Sequence, residues 1–182
     1  MRGTKKIIAL AMSVVMLLSF AACSKSSIKE YDKDSMVALL QDKLGISEGD
    51  IHVSETDGTK GSPAATVITA KYNDIRINVA FCKNAEEAAD HFKESYDDFQ
   101  NSFNKTSQFS GSSINMKGID CGYIVVKGDK PETSIFGDRN RTGSVYGALY
   151  HTGSEILYVS SEMGKGMDDV GKVIDALGYP NV

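Results

Sequence analysis

Two strand-like segments separated by only two residues constrain the fold most strongly. Ala64–Tyr72 and Ile75–Cys82 flank Asn73-Asp74, and both residue types are favoured in two-residue hairpin turns. In the second segment, the apolar Ile75, Ile77, Val79 and Phe81 alternate with Arg76, Asn78, Ala80 and Cys82. Strict alternation is typical of a strand with one apolar and one mixed face. This pair of segments therefore predicts a β-hairpin and an antiparallel sheet.

Three other segments have the three- and four-residue apolar spacing of amphipathic helices. The first runs from Asp34 or Ser35 to Leu44, and the third from about Met167 to Leu177. The second helix begins after Asn84 and continues for about 19 residues. Asn84 and Glu87 have the spacing of a capping box at its start. One of its faces consists of Ala85, Ala88, Ala89, Phe92, Tyr96, Phe99 and Phe103. Aromatic residues at helical spacing usually pack in a core, so we interpret this stripe as a buried face rather than a ligand platform.

The other strand-like segments lie on both sides of the second helix. They are residues 51–53, 121–127, 133–137, 144–151 and 155–161, whereas 104–113 is predicted to be a loop. The order is thus helix, strands, helix, strands, helix, and 182 residues suit a single domain. We expect an α+β fold, in which an antiparallel sheet of about five to six strands in hairpins and a meander carries two to three helices packed mainly on one face.

The amino-terminal residues have the order of a secretory signal. Arg2, Lys5 and Lys6 precede an apolar run over 7–20, which is shorter than the roughly 20 residues of a membrane-spanning helix. The alternative is an uncleaved anchor helix. Phe20-Ala21-Ala22-Cys23 then resembles the lipobox of bacterial lipoproteins, in which the cysteine is acylated, with palmitate among its acyl chains, and becomes the new amino terminus.

The lipobox resemblance covers only the start of the chain, but it implies an organisation for the rest. Residues 1–22 would be the signal peptide, 23–33 the acylated Cys23 with a flexible tether, and 34–182 a single extracytoplasmic domain. The first expected partner is the cell membrane. The amino-terminal lipid would hold the domain on the extracytoplasmic side of this membrane, because two or more acyl chains anchor a protein stably. Ordinary secretion with cleavage nearby is the alternative.

The charge of the chain bears on its partners. The chain has 20 basic and 24 acidic residues. Without the three basic residues of the signal, 17 basic and 24 acidic residues remain, which gives a formal charge of −7. Nucleic acid is not expected as a partner, since phosphate binding needs clustered Lys and Arg. Arg139 and Arg141, in a turn-like segment over 137–143, are the candidates for contact with an anion or a partner. A solvated hairpin tip is the alternative for these two arginines.

Few residues are arranged for catalysis or metal binding. With Cys23 acylated, Cys82 and Cys121 remain, either as a disulfide outside the cytoplasm or as two buried thiols. His52, His91 and His151 share no ligand spacing, and no known catalytic motif is present, so we predict no metal, no cofactor and no catalytic residue. The expected function is a non-enzymatic binding or interaction module for another envelope protein or a small ligand. An envelope hydrolase and an accessory subunit of a membrane transporter remain as alternatives.

Overall fold

The computed structural model describes residues 28–55, 64–105, 110–130, 143–161 and 165–182. Within these ranges there are three α-helices, one 3-10 turn (Glu48–Asp50) and seven strands. The helices are α1 (Lys33–Leu44), α2 (Ala85–Lys105) and α3 (Met167–Leu177). The strands are β1 (Ile51–Glu55), β2 (Ala64–Tyr72), β3 (Ile75–Cys82), β4 (Ser110–Lys117), β5 (Cys121–Lys130), β6 (Gly143–Thr152) and β7 (Glu155–Ser160).

All seven strands belong to one antiparallel sheet in the order β1-β2-β3-β7-β6-β5-β4. The sheet consists of two meanders, β1 to β3 and β4 to β7, and they join where Ile77 of β3 lies opposite Val159 of β7. Tyr72 pairs with Ile75 around Asn73-Asp74, which confirms the two-residue hairpin turn. The α+β class is confirmed, but the sheet has more strands than the five to six expected.

Alternate side chains of the central strands point to opposite sides, so the sheet has two faces to cover. On the first face, α1 and α3 pack over Ile77 and Val79 of β3. These two helices contribute the buried residues Met36, Leu40, Val170, Val173, Ile174 and Leu177. On the second face, α2 packs over Ile124 and Val126 of β5. Two of the three helices thus share a face, and α2 adds a third layer on the other side.

The Asn84 cap of α2 folds as the sequence indicates, but Glu87 Oε2 has no hydrogen-bond partner among the described residues, so only the Asn84 half of the predicted capping box is present. The amide of Glu87 donates to Asn84 Oδ1 at 2.9 Å, which satisfies one of the free N–H groups at the start of the helix. Ala88 and Phe92 are buried, and Tyr96 packs at the edge of the same cluster. The buried face predicted for α2 is confirmed at these positions but is wrong at Ala85, which is exposed in the first turn of the helix. The side chains of Phe99 and Phe103 lie outside the described residues.

Residues 110–113, the first half of strand β4, lie where the sequence predicts a loop. Ser110–Lys117 forms one edge of the sheet and pairs with β5 alone, so most of its side chains face solvent. A strand at the edge of a sheet, with its side chains mostly exposed to solvent, does not need an apolar face. A serine-rich segment can therefore form this strand. The strand predicted over 133–137 lies outside the described residues.

The last part of the expected tether is packed on the domain. Ile28 is 8% exposed and belongs to the core under α1 and α3. Asp32 is the N-cap of α1, since its Oδ1 accepts the amide of Ser35 at 2.7 Å. Gly45 ends the helix in the left-handed conformation, as its position in the sequence indicates. Residues 28–33 are therefore part of the packed domain.

Candidate functional site

The second face of the sheet carries a polar groove next to α2. Because Ile68, Ala70, Ile77 and Val79 face the first side, the residues between them in β2 and β3 point to the second side. The groove has a volume of about 650 Å³. Its polar lining is Asp50, His52, Thr69, Lys71, Asn73, Asp74, Arg76, Asn78, Tyr158 and Ser160. We call this surface the polar groove.

The floor of the polar groove is a row of polar side chains across four strands. His52 of β1 lies opposite Thr69 of β2, which lies opposite Asn78 of β3, which in turn lies opposite Tyr158 of β7. Thr69 Oγ1 donates to Asn78 Oδ1 at 3.3 Å. This bond uses the carbonyl oxygen of the Asn78 amide and leaves its Nδ2 group to act as a donor in the groove.

A second row brings two cations together. Lys71 of β2 lies directly opposite Arg76 of β3, and Arg76 lies opposite Ser160 of β7. Like charges at opposite positions of paired strands repel each other and destabilise the sheet. Within the described chain, no carboxylate lies within 4.0 Å of either cation. Two acidic residues, Asp50 and Asp74, also line the polar groove, and both are exposed to solvent.

A separate cluster of buried polar groups holds the amino-terminal segment, which we define as residues 28–31. Glu155 is 1% exposed. Its Oε2 accepts the amide of Tyr31 at 2.9 Å, and the hydroxyl of Tyr179 lies 3.0 Å from its Oε1. The same hydroxyl lies 3.1 Å from the carbonyl oxygen of Lys29, and the amide of Ser154 donates to Glu30 Oε1 at 3.1 Å. The segment is thus fixed by residues more than a hundred positions away.

Burial raises the pKa of Glu155 to about 7, although both hydrogen bonds act in the opposite direction. The negative charge of Glu30 raises this pKa further. Near neutral pH both the protonated and the ionised form of the carboxyl group are therefore populated. When protonated, it can donate to the Tyr179 hydroxyl, which then donates to the Lys29 carbonyl. When ionised, it accepts from Tyr179, and the Lys29 carbonyl loses that donor.

His151 is buried beneath α2, where its ring lies 4.7 Å from the ring of Phe92, centroid to centroid. Its Nε2 lies 3.4 Å from the carbonyl oxygen of Gly118, and its Nδ1 has no hydrogen-bond partner among the described residues. Burial lowers the pKa of His151, which favours the neutral ring. The arrangement is that of a packed core histidine.

The two cysteines of the domain are not brought together. Cys82 ends β3 on the second face, whereas Cys121 begins β5 with its side chain against the first-face core, and β7 and β6 lie between the two strands. The structure has no disulfide between them. Three interstrand spacings amount to about 14 Å, beyond the Cα separation that a disulfide spans. Burial raises the pKa of the Cys82 thiol, and the nearby Glu87 adds to the effect.

Three of the predicted site residues, Cys23, Arg139 and Arg141, lie outside the described residues. Sequence reasoning missed the polar groove, although the mixed face of β3 was its visible signal. It also missed Glu155, because an acid beside a turn has the pattern of an exposed residue. No group of three or more His, Cys, Asp or Glu in the described ranges is placed to hold a metal ion.

The chain matches no protein-family profile, no curated protein and no solved structure. Of the helices in the described ranges, none is both long and apolar enough to cross a membrane. Geometry and chemistry alone therefore bear on the function.

Proposed function

We propose that the protein is a lipid-anchored extracytoplasmic binding module that holds a small, negatively charged polar ligand in the polar groove. The observation that carries the proposal is the pair Lys71 and Arg76, which lie opposite each other with no carboxylate within 4.0 Å in the described chain. An anionic group bound between them would offset their repulsion. The same pair would form charge-assisted hydrogen bonds with it.

The rest of the groove suits such a ligand in size and in hydrogen bonding. A volume of about 650 Å³ falls within the range of small-molecule sites. The amide nitrogen of Asn78 can donate beside the two cations, and His52 stands at the end of the same row. Asp50 and Asp74 would repel a ligand with a second negative group near them, so the ligand we propose carries its charge at one end.

The anchoring half of the proposal rests on the sequence. The basic start, the apolar run and Phe20-Ala21-Ala22-Cys23 together support acylation of Cys23. We expect Cys23→Ala to move the protein from the membrane fraction to the soluble fraction. Retention of this variant in membranes would contradict lipid anchoring and would support an uncleaved anchor helix.

Ligand binding is tested by titrating the isotope-labelled domain with inorganic phosphate and with acetate, which each carry their charge on a single group, and each titration is followed by amide chemical shifts. We expect saturable shifts at β2 and β3. Lys71→Gln and Arg76→Gln should each weaken binding about tenfold, as expected for one lost charge-assisted hydrogen bond. Lys93→Gln is the matched control, because Lys93 is an exposed lysine on α2 outside the groove. Shifts that persist in both groove variants, or no shifts with either anion, would refute the proposed site.

A further inference from the structure

We infer that the β4–β5 turn, with Ile119 at its tip, is a second membrane contact that inserts into the lipid bilayer beside the anchor. The inference goes beyond ligand binding, but it rests on the proposed acylation of Cys23. The partner that this turn contacts is the outer surface of the membrane that the acyl chains enter. Three observations carry it: the exposure of Ile119, an apolar groove beside it, and the position of both relative to the amino-terminal segment.

Ile119 is an exposed apolar side chain at a turn. The residue is 88% exposed, and in the described chain Val53 is the other large hydrophobic residue that is exposed, at 46%. Ala85, Ala89 and Phe92 of α2 line an adjoining groove of about 520 Å³ together with Ile119. An apolar surface that the fold leaves open in this way is typical of a contact site with a partner or a membrane.

The position of the turn identifies the membrane as the partner. The amide of Gly153 donates to the carbonyl of Asp120 at 3.1 Å, and the amide of the next residue, Ser154, donates to Glu30 at 3.1 Å. One two-residue turn therefore touches both the β4–β5 turn and the amino-terminal segment. Cys23 precedes Ile28 by five residues, which span at most about 18 Å when fully extended. The acyl chains would therefore enter the bilayer no more than about 18 Å from Ile28, at the start of the segment that this turn links to the β4–β5 turn.

The charges around this surface indicate apolar insertion rather than electrostatic attraction. Lys93 and Lys117 line the apolar groove together with three acids, Glu86, Asp90 and Asp120. The surface thus has no excess of positive charge to attract anionic headgroups. We expect its membrane contact to be insensitive to salt, because screening weakens charge attraction and not the burial of apolar area.

The absence of tryptophan from the chain gives a direct test. Ile119→Trp introduces one tryptophan at the proposed contact. Asp74→Trp introduces one just before β3, and the eight residues of β3 span about 26 Å to the end where Cys82 bonds to Ser154. Each variant is purified in its lipidated form, checked by circular dichroism and reconstituted into phosphatidylcholine vesicles whose acyl chains are brominated. Bromine quenches tryptophan only where the indole reaches the acyl region.

We expect Ile119→Trp to emit at shorter wavelength and to lose roughly half or more of its intensity, since tryptophan settles at the membrane interface. Asp74→Trp should lose none. If both variants float with the vesicles but neither is quenched, or both are quenched equally, the contact is refuted and the anchoring stands. If the parent protein does not float with the vesicles, the anchoring is refuted and the contact with it.

Discussion

Glu155 is the residue on which the stability of the amino-terminal segment depends most directly. Its pKa of about 7 in the folded protein lies above its ordinary value of 4.5, so the folded state holds the proton more tightly than the unfolded chain. The resulting stabilisation is complete below pH 4.5 and is lost as the pH rises through 7. We expect the free energy of unfolding in urea to fall by up to about 3 kcal/mol between pH 4.5 and pH 8.

Glu155→Gln should remove most of this pH dependence, because the amide does not titrate. Glu94→Gln, which changes an exposed acid of α2, is the control and should leave the pH dependence as it is. Equal pH profiles for the parent protein and Glu155→Gln would show that another group is responsible.

Gly153 is required for a different reason. Its φ is 52°, and a Cβ at this position would overlap the carboxylate of Glu30. Gly153→Ala should therefore lower stability by the left-handed strain of about 1–2 kcal/mol and also increase hydrogen exchange at the amide of Tyr31. Gly45→Ala is the matched control, because Gly45 has φ 66° but a Cβ there would meet nothing within 4 Å. It should cost stability without affecting Tyr31, and an equal effect on Tyr31 exchange would argue against the contact with Glu30.

At the level of elements, α2 is held on the sheet largely by Phe92. The ring rests on Gly122 of β5, where a Cβ would come within 2.5 Å of it, so the glycine makes room for the aromatic ring. We expect Phe92→Ala to reduce the free energy of unfolding by roughly 3–5 kcal/mol, measured by urea denaturation. Lys93→Ala, the exposed neighbour, should change it little. A small effect of Phe92→Ala would mean that other contacts dock the helix.

The elements that the sequence predicts well are those specified by neighbouring residues. The β2–β3 hairpin follows from its alternation and turn, and α2 follows from its cap at Asn84 and its apolar stripe. Strand β4 could not be predicted in this way, because its edge position follows from the pairing order of the whole sheet. The polar groove could be predicted only as far as the mixed face of β3, since the pairing of Asn78 with Tyr158 joins residues that are far apart in sequence.

At the level of the whole molecule, the domain boundary lies before α1. Ile28 is buried in the core, and the amide of Tyr31 satisfies Glu155. A chain that starts at residue 34 should therefore be less stable than one that starts at residue 24, by about 2–4 kcal/mol, through lost apolar burial and an unsatisfied carboxyl group. Thermal unfolding of the two chains measures this difference. Equal midpoints would place residues 28–31 outside the cooperative fold.

The contacts of the amino-terminal segment also imply an order of events during synthesis. Tyr31 bonds to residues 124 and 146 positions later, and Lys29 to one 150 positions later. None of these bonds can form before nearly the whole chain has been made. Under the acylation that we propose for Cys23, the processing and acylating enzymes would therefore act before these bonds have fixed the amino-terminal segment. Completion of the carboxyl-terminal end then closes the amino-terminal segment onto the domain, so the proposed acylation would precede this last step of folding.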